Sequence, residues 1–181
     1  MPSAPRVSLR TFRPEDAAAV HAWFNAREVT ENLVELRDAF SEDDAAGWVR
    51  RAAVADGSDR KWAVTVGESD RAVGFTALYG LFGQSAPELG AMIGDPAGWG
   101  RGVGREAERL TIERAFDEFD SHRILGLIPS TNERAKSVVR RLGFRHEGVM
   151  RRHVRRGDTL IDVEVWGLLP EEFRAATVEA G

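Results

Sequence analysis

Gly98, Gly100, Gly102 and Gly104 alternate with larger residues inside the stretch 88–107, ELGAMIGDPAGWGRGVGREA, where an apolar run leads directly into a charged, amphipathic segment. That spacing suits anion binding. Without Cβ atoms the backbone curls tightly enough to aim consecutive NH groups at one point. A helix starting near Gly102 adds its unpaired first-turn NH groups and the positive end of its dipole, and Arg101 and Arg105 add full charges. The expected ligand group is a phosphate or pyrophosphate.

Spacing separates the phosphate loops that fit such a segment. A Walker A loop needs a lysine for the outer phosphates, and no lysine lies between Lys61 and Lys136. Gly102, Gly104 and Ala107 do satisfy the dinucleotide pattern GxGxxG/A. That fold, however, places its glycines after the first strand and an acid at the end of the second, whereas here about a hundred residues precede the motif and the nearest acid, Asp120, precedes the next strand.

Residues 99–107, WGRGVGREA, resemble the acyl-CoA pyrophosphate loop Q/R-x-x-G-x-G/A of the GNAT N-acetyltransferases, with Gly102 and Gly104 in the glycine positions. Trp99 stands where many members have Gln or Arg, as in the RimJ/RimL-like branch. A second block, 132–144, NERAKSVVRRLGF, resembles the family's N-x-x-A/S followed at fixed distance by L-G-F, in which the asparagine caps a helix and reaches the cofactor. With the ending DVEVWGLL at 162–169, the resemblance runs from Val7 to about Phe173, a single domain over 7–173.

The resemblance implies an α/β fold with a mixed sheet in the order β-α-α-β-β-β-α-β-α-β-β. Strands four and five splay apart, and the pantetheine arm of acetyl-CoA, the co-substrate, lies between them. It implies direct acetyl transfer to a primary amine, either a protein N-terminus or a small molecule. The alternative is an acyl-CoA-binding regulatory module with little turnover. One departure sustains it: many relatives carry a tyrosine seven residues after the asparagine, and this chain has Val139 there, its only tyrosine being Tyr79.

The elements that must position these groups are legible in outline. Strand one is expected at 7–12, and Pro14 followed by Glu15 and Asp16 opens a helix reaching Ala26. Ser41 and Asp44 give a capping signature ahead of Trp48, Val49 and Ala52, and 56–58, DGS, ends that helix. A hairpin follows at 61–67 and 72–81, then strand four at 88–94 and a long helix at 102–119. Strand five, 124–128, is wholly apolar and reads as buried and parallel. Gly143 caps the helix that ends at Leu142, and a last hairpin spans 148–155 and 159–169.

Residue roles follow from this frame and the resemblance. Met92, Ile93 and Gly94 are expected to offer backbone groups to the pantetheine, with an NH near the thioester carbonyl stabilising developing negative charge. Trp99, Gly100, Arg101, Gly102, Val103, Gly104 and Arg105 form the pyrophosphate loop, and Asn132 both caps its helix and faces the cofactor. Attack on a thioester needs a neutral amine, so a base must accept a proton. Glu88, opening strand four at the acceptor end of the cleft, is the first candidate, followed by His153, Asp162 and Glu164. Acceptor selection is expected from 28–40 and 81–87, where Glu31, Glu35 and Asp38 either attract a cation or form a solvated loop.

Bulk properties narrow the classes. A chain of 181 residues folding as one domain buries about 70% of its unfolded surface. The absence of cysteine excludes disulfides, thiolate metal sites and an acyl-cysteine route. A net charge of −4 disfavours nucleic acid, although arginines crowd 134–156. The four histidines lack metal spacing, so no metal is expected. No signal or membrane-spanning run appears, which predicts a cytoplasmic protein without a membrane partner, and a homodimer is the expected assembly.

Overall fold

The computed structural model describes residues 6–31, 33–34, 39–55, 57–83 and 85–179. Glu35, Asp38 and Asp56 lie outside the described residues. Seven strands, β1 Val7–Arg10, β2 Arg60–Val66, β3 Gly74–Tyr79, β4 Glu88–Ile93, β5 Ile124–Pro129, β6 Arg145–Arg156 and β7 Thr159–Leu168, form one sheet in the order β1-β2-β3-β4-β5-β7-β6. Every pairing is antiparallel except β4 with β5. The helices are α1 Ala17–Asn25, entered through a 3-10 turn at Pro14–Asp16, then α2 Arg27–Thr30, α3 Glu42–Ala53, α4 Val103–Asp117, α5 Glu133–Arg141 and α6 Pro170–Glu179.

Local chemistry starts these helices. The Ser41 hydroxyl accepts from the Asp44 NH at 3.1 Å while the Asp44 carboxylate accepts from the Ser41 NH at 3.0 Å, a reciprocal cap for α3. Such a cap contributes about 1 kcal/mol. Gly102 begins α4 at φ +82°, a left-handed conformation that disfavours residues with a Cβ.

The period-2 alternation of the strands divides the core into two layers. On one face α1 and α3 pack Val20, Trp23 and Val49 against Ala63, Phe75, Ala77 and Met92. On the other, α4, α5 and α6 pack Ile112, Val139 and Phe173 against Leu78, Ile124 and Leu168. The buried Thr111 hydroxyl lies 2.7 Å from that of Thr76 and donates to the Ala107 carbonyl at 2.9 Å, which registers α4 on the sheet without an orphaned polar group.

Two helices depart from the expected order. α2 is a single turn after Ala26, and α6 starts at Pro170 with Glu171 and Glu172 in its first turn, repeating the Pro-plus-acid signal of Pro14. β5 runs parallel to β4 and parts from it, as expected. Its parallel pairing with β4 is limited to Glu88↔Leu125, and its long partner is β7, antiparallel from Ile124↔Leu168 to Pro129↔Val163. An apolar run signals burial of both faces and says nothing of a neighbour's direction.

Candidate active site

The site begins where β4 parts from β5. The Gly94 NH donates to the Val73 carbonyl at 2.9 Å, so the alternation of an antiparallel ladder turns the backbone groups of Gly94, Met92 and Gly90 toward β3. Those of Ala91 and Ile93 point the other way. On that side the ladder stops after Glu88↔Leu125, so Ala91 and Ile93 face an open gap.

Met92, Ile93 and Gly94, the residues expected beside the pantetheine, divide by this parity. Of the three, only Ile93 directs its backbone into the gap. The Met92 side chain belongs to the α1/α3 core, and a Cβ on Gly94 would lie 2.1 Å from Trp23 Cγ, so this glycine serves close packing. Ala91 shares the parity of Ile93 and also faces the gap, which no local sequence pattern reveals because it depends on register.

The glycine loop supplies the second wall. Gly100 and Gly102 adopt φ +72° and +82°, and an added Cβ at either meets nothing within 4 Å, leaving the loop open on the side a phosphate would fill. The first helical bond runs from the Glu106 NH to the Gly102 carbonyl at 3.0 Å, and Gly102 has no side chain to cap α4, so the NH groups of Val103, Gly104 and Arg105 have no acceptor within the helix. Val103 contributes only backbone, its side chain being buried. Arg105 lines the cleft. Arg101 is exposed and does not.

Trp99 secures this loop to the strand. Its Nε1 donates to the Ile93 carbonyl at 2.6 Å, and the Arg134 guanidinium lies 5.3 Å from its ring centroid. Asn132 Oδ1 accepts from the Ala135 NH at 3.0 Å, capping α5 as expected, and the residue also lines the cleft. The whole cleft encloses about 820 Å³, with Glu28 and Glu31 at its rim.

A second cavity of about 1020 Å³ lies toward α1 and α3. Phe24, Phe40, Trp48, Phe75 and Tyr79 give it an aromatic wall, and its ionisable lining includes Lys61, Glu88, Glu108 and His153. Lys61 Nζ is 3.2 Å from Asp59 and 4.9 Å from the Tyr79 ring centroid. Glu31 sits on the first cleft rather than here, and the described residues of 81–87 line neither cavity. The two cavities share Leu33, Ala91, Glu108, Asn132 and Ala135 as lining residues and so adjoin beside the open edge of β4.

Asp162 and Glu164 have other work. Asp162 Oδ1 accepts from the Arg152 NH at 2.6 Å where Arg152, at φ +54°, forms a bulge in β6. Glu164 accepts from the buried Lys136 Nζ at 3.0 Å, and Lys136 also donates to the Ser130 carbonyl, pinning α5 to β7. Neither carboxylate lines either of these two cavities. Glu108 was not singled out by any motif. Its Oε2 is buried without a hydrogen-bond partner, and burial pushes its carboxyl up to about 8. Among the described residues no cluster of three or more His, Asp or Glu is placed to hold a metal ion, and no helix is long and apolar enough to cross a membrane.

The model of the acetyltransferase (GNAT) domain family matches residues 6–145. The chain is 26% identical over 168 residues to the uncharacterized N-acetyltransferase YnaD of Bacillus subtilis, covering 93% of this chain and 96% of that protein. It is 26% identical over 159 residues to the spermidine N(1)-acetyltransferase of Escherichia coli, covering 82% of this chain and 77% of that protein. Its fold matches the crystal structure of the spermidine N-acetyltransferase from Vibrio cholerae in complex with CoA and spermine, at a TM-score of 0.81 and 19% identity, covering 93% and 98% of the two chains.

Proposed function

The chain belongs to the GNAT acetyltransferase family and is an acetyl-CoA-dependent N-acetyltransferase, and we propose that it is a RimJ/RimL-like member acting directly on a primary amine. The observation that carries this reading is the gap between β4 and β5, beside which a phosphate-seating cleft adjoins an aromatic-walled cavity. Acetyl-CoA supplies the acetyl group as a thioester. The NH groups of Val103, Gly104 and Arg105 seat its pyrophosphate, the turn at Gly100 and Gly102 makes room for it, and the Ala91 and Ile93 NH groups hold the pantetheine side. Glu88 takes the proton from the incoming ammonium, with His153 across the same cavity.

Residues 7–173 form the single functional domain in this reading, in a cytoplasmic homodimer. A small-molecule amine is favoured over a protein N-terminus. The spermidine-acetylating relative supports this, as does the combination of Glu88 with aromatic walls, which suits a cation carried on an apolar stem. Thiol release from acetyl-CoA, measured against polyamines, aminoglycosides and short peptides, tests the proposal. Turnover with a polyamine or another small amine is expected, and turnover confined to peptide N-termini would reassign the acceptor.

A further inference from the structure

Acyl transfer requires the thioester to be reachable from both cavities at once. Leu33, Ala91, Glu108, Asn132 and Ala135 line both, and the reacting atoms belong where the two adjoin. Of these five residues only Glu108 has an acidic proton. It stands on the inner side of α4, keeping modest exposure into the cleft while its Oε2 is buried and unpartnered. An unpaired buried carboxyl costs stability that a leucine would not. A group the reaction needs is a physical reason to retain it.

We propose that Glu108 is the proton donor to the sulfur atom that leaves during acetyl transfer, a role that rests on the N-acetyltransferase reading above. The amine nitrogen bonds to the acetyl carbon, the carbon–sulfur bond breaks, and the sulfur takes the Glu108 proton. The ammonium's first proton passes to Glu88 and on to water before attack, and the second proton, shed by the nitrogen as the amide forms, leaves by the same route. Glu108 regains its proton from solvent after the thiol departs, so protons balance over the cycle.

The protonation state fits this role. Burial alone holds the carboxyl neutral to about pH 8, near the value of about 8.5 for an ordinary thiol, so the transfer is close to isoenergetic. The charged and titratable groups that line the cavities with it are Arg51, Asp59, Lys61, Glu88 and His153 in one and Glu28, Glu31, Arg105, Glu133, Arg134 and Arg141 in the other. None of them contributes to its shift.

The test uses Glu108→Gln, which keeps shape and polarity but has no acidic proton. With the best amine from the thiol-release panel, turnover of the variant should fall by roughly 100-fold near neutral pH, within the usual range for acid catalysis. The wild-type rate should decline above about pH 8 as Glu108 ionises, and the variant should lack that decline. A second readout needs no turnover. In the binary complex with CoA, the ultraviolet absorbance of the thiolate should rise in two coupled steps in the wild type and in one step in the variant. Identical single-step titrations in both proteins, with CoA bound by both, would overturn the role of Glu108 and leave the N-acetyltransferase reading standing. Failure of the wild type to bind CoA would overturn both.

Discussion

Trp99 Nε1 donates a 2.6 Å hydrogen bond to the Ile93 carbonyl, tying the glycine loop to the strand that borders the gap. The bond engages the acceptor that Ile93 would otherwise turn into the gap, which leaves the Ile93 NH as the donor facing it. Trp99→Phe keeps the ring beneath Arg134 and removes only this bond. CoA affinity should drop about fivefold, matching a hydrogen bond worth about 1 kcal/mol, in a protein that still folds. Calorimetry with CoA measures this, and unchanged affinity would make the tie irrelevant to binding.

Two glycines separate ligand binding from folding. Gly102→Val forces a branched residue into φ +82° beside the phosphate seat, although no protein atom blocks the new Cβ. CoA binding should weaken by about 1–3 kcal/mol through backbone strain at the loop. Gly94→Ala instead drives a methyl into Trp23 at 2.1 Å. That variant should lose melting temperature first, as overpacking a core costs about 1–3 kcal/mol. Thermal denaturation and calorimetry on both variants give opposite patterns if the assignments hold.

Glu108 makes a distinct claim about stability. Its carboxyl is raised from 4.5 to about 8 in the folded protein, so between those values the unfolded chain has lost a proton that the folded chain keeps. The folded state therefore loses stability as pH rises through this window, by about 1.4 kcal/mol per pH unit at most. Glu108→Gln removes the penalty. Its melting temperature relative to wild type should increase steadily from pH 5 to pH 8, and a constant difference would mean the carboxyl is not held neutral.

Glu88 is tested by its dependence on pH. If it takes the proton from the amine, Glu88→Gln should slow turnover about 100-fold near neutral pH with CoA affinity little changed. The rates should converge as pH rises, since more acceptor then arrives neutral. Parallel profiles across the range would transfer the role to His153, which lines the same cavity.

Much of this arrangement was legible in the sequence because it is local. The glycine spacing, the Ser41–Asp44 cap, the Asn132 cap and the left-handed Gly143 each depend on a few consecutive residues, and each stands where its pattern indicates. What was not legible depends on pairing over distance. The choice of Ala91 over Met92 and Gly94 follows from one hydrogen bond between Gly94 and Val73. Asp162 and Glu164 alternate correctly for a substrate face, yet a bulge at Arg152 and a buried lysine on another helix claim them. Glu108 carries no signal at all, since a glutamate within a charged helix normally faces water.

The central claim is that acetyl-CoA lies in the β4–β5 gap with its pyrophosphate on the amino end of α4, and a crystal structure of the protein with CoA tests it most directly. The pyrophosphate should contact the Val103, Gly104 and Arg105 NH groups, and the pantetheine should run past Ala91 with its sulfur beside Glu108. CoA bound elsewhere, or a gap closed by continuous pairing of β4 with β5, would contradict the account.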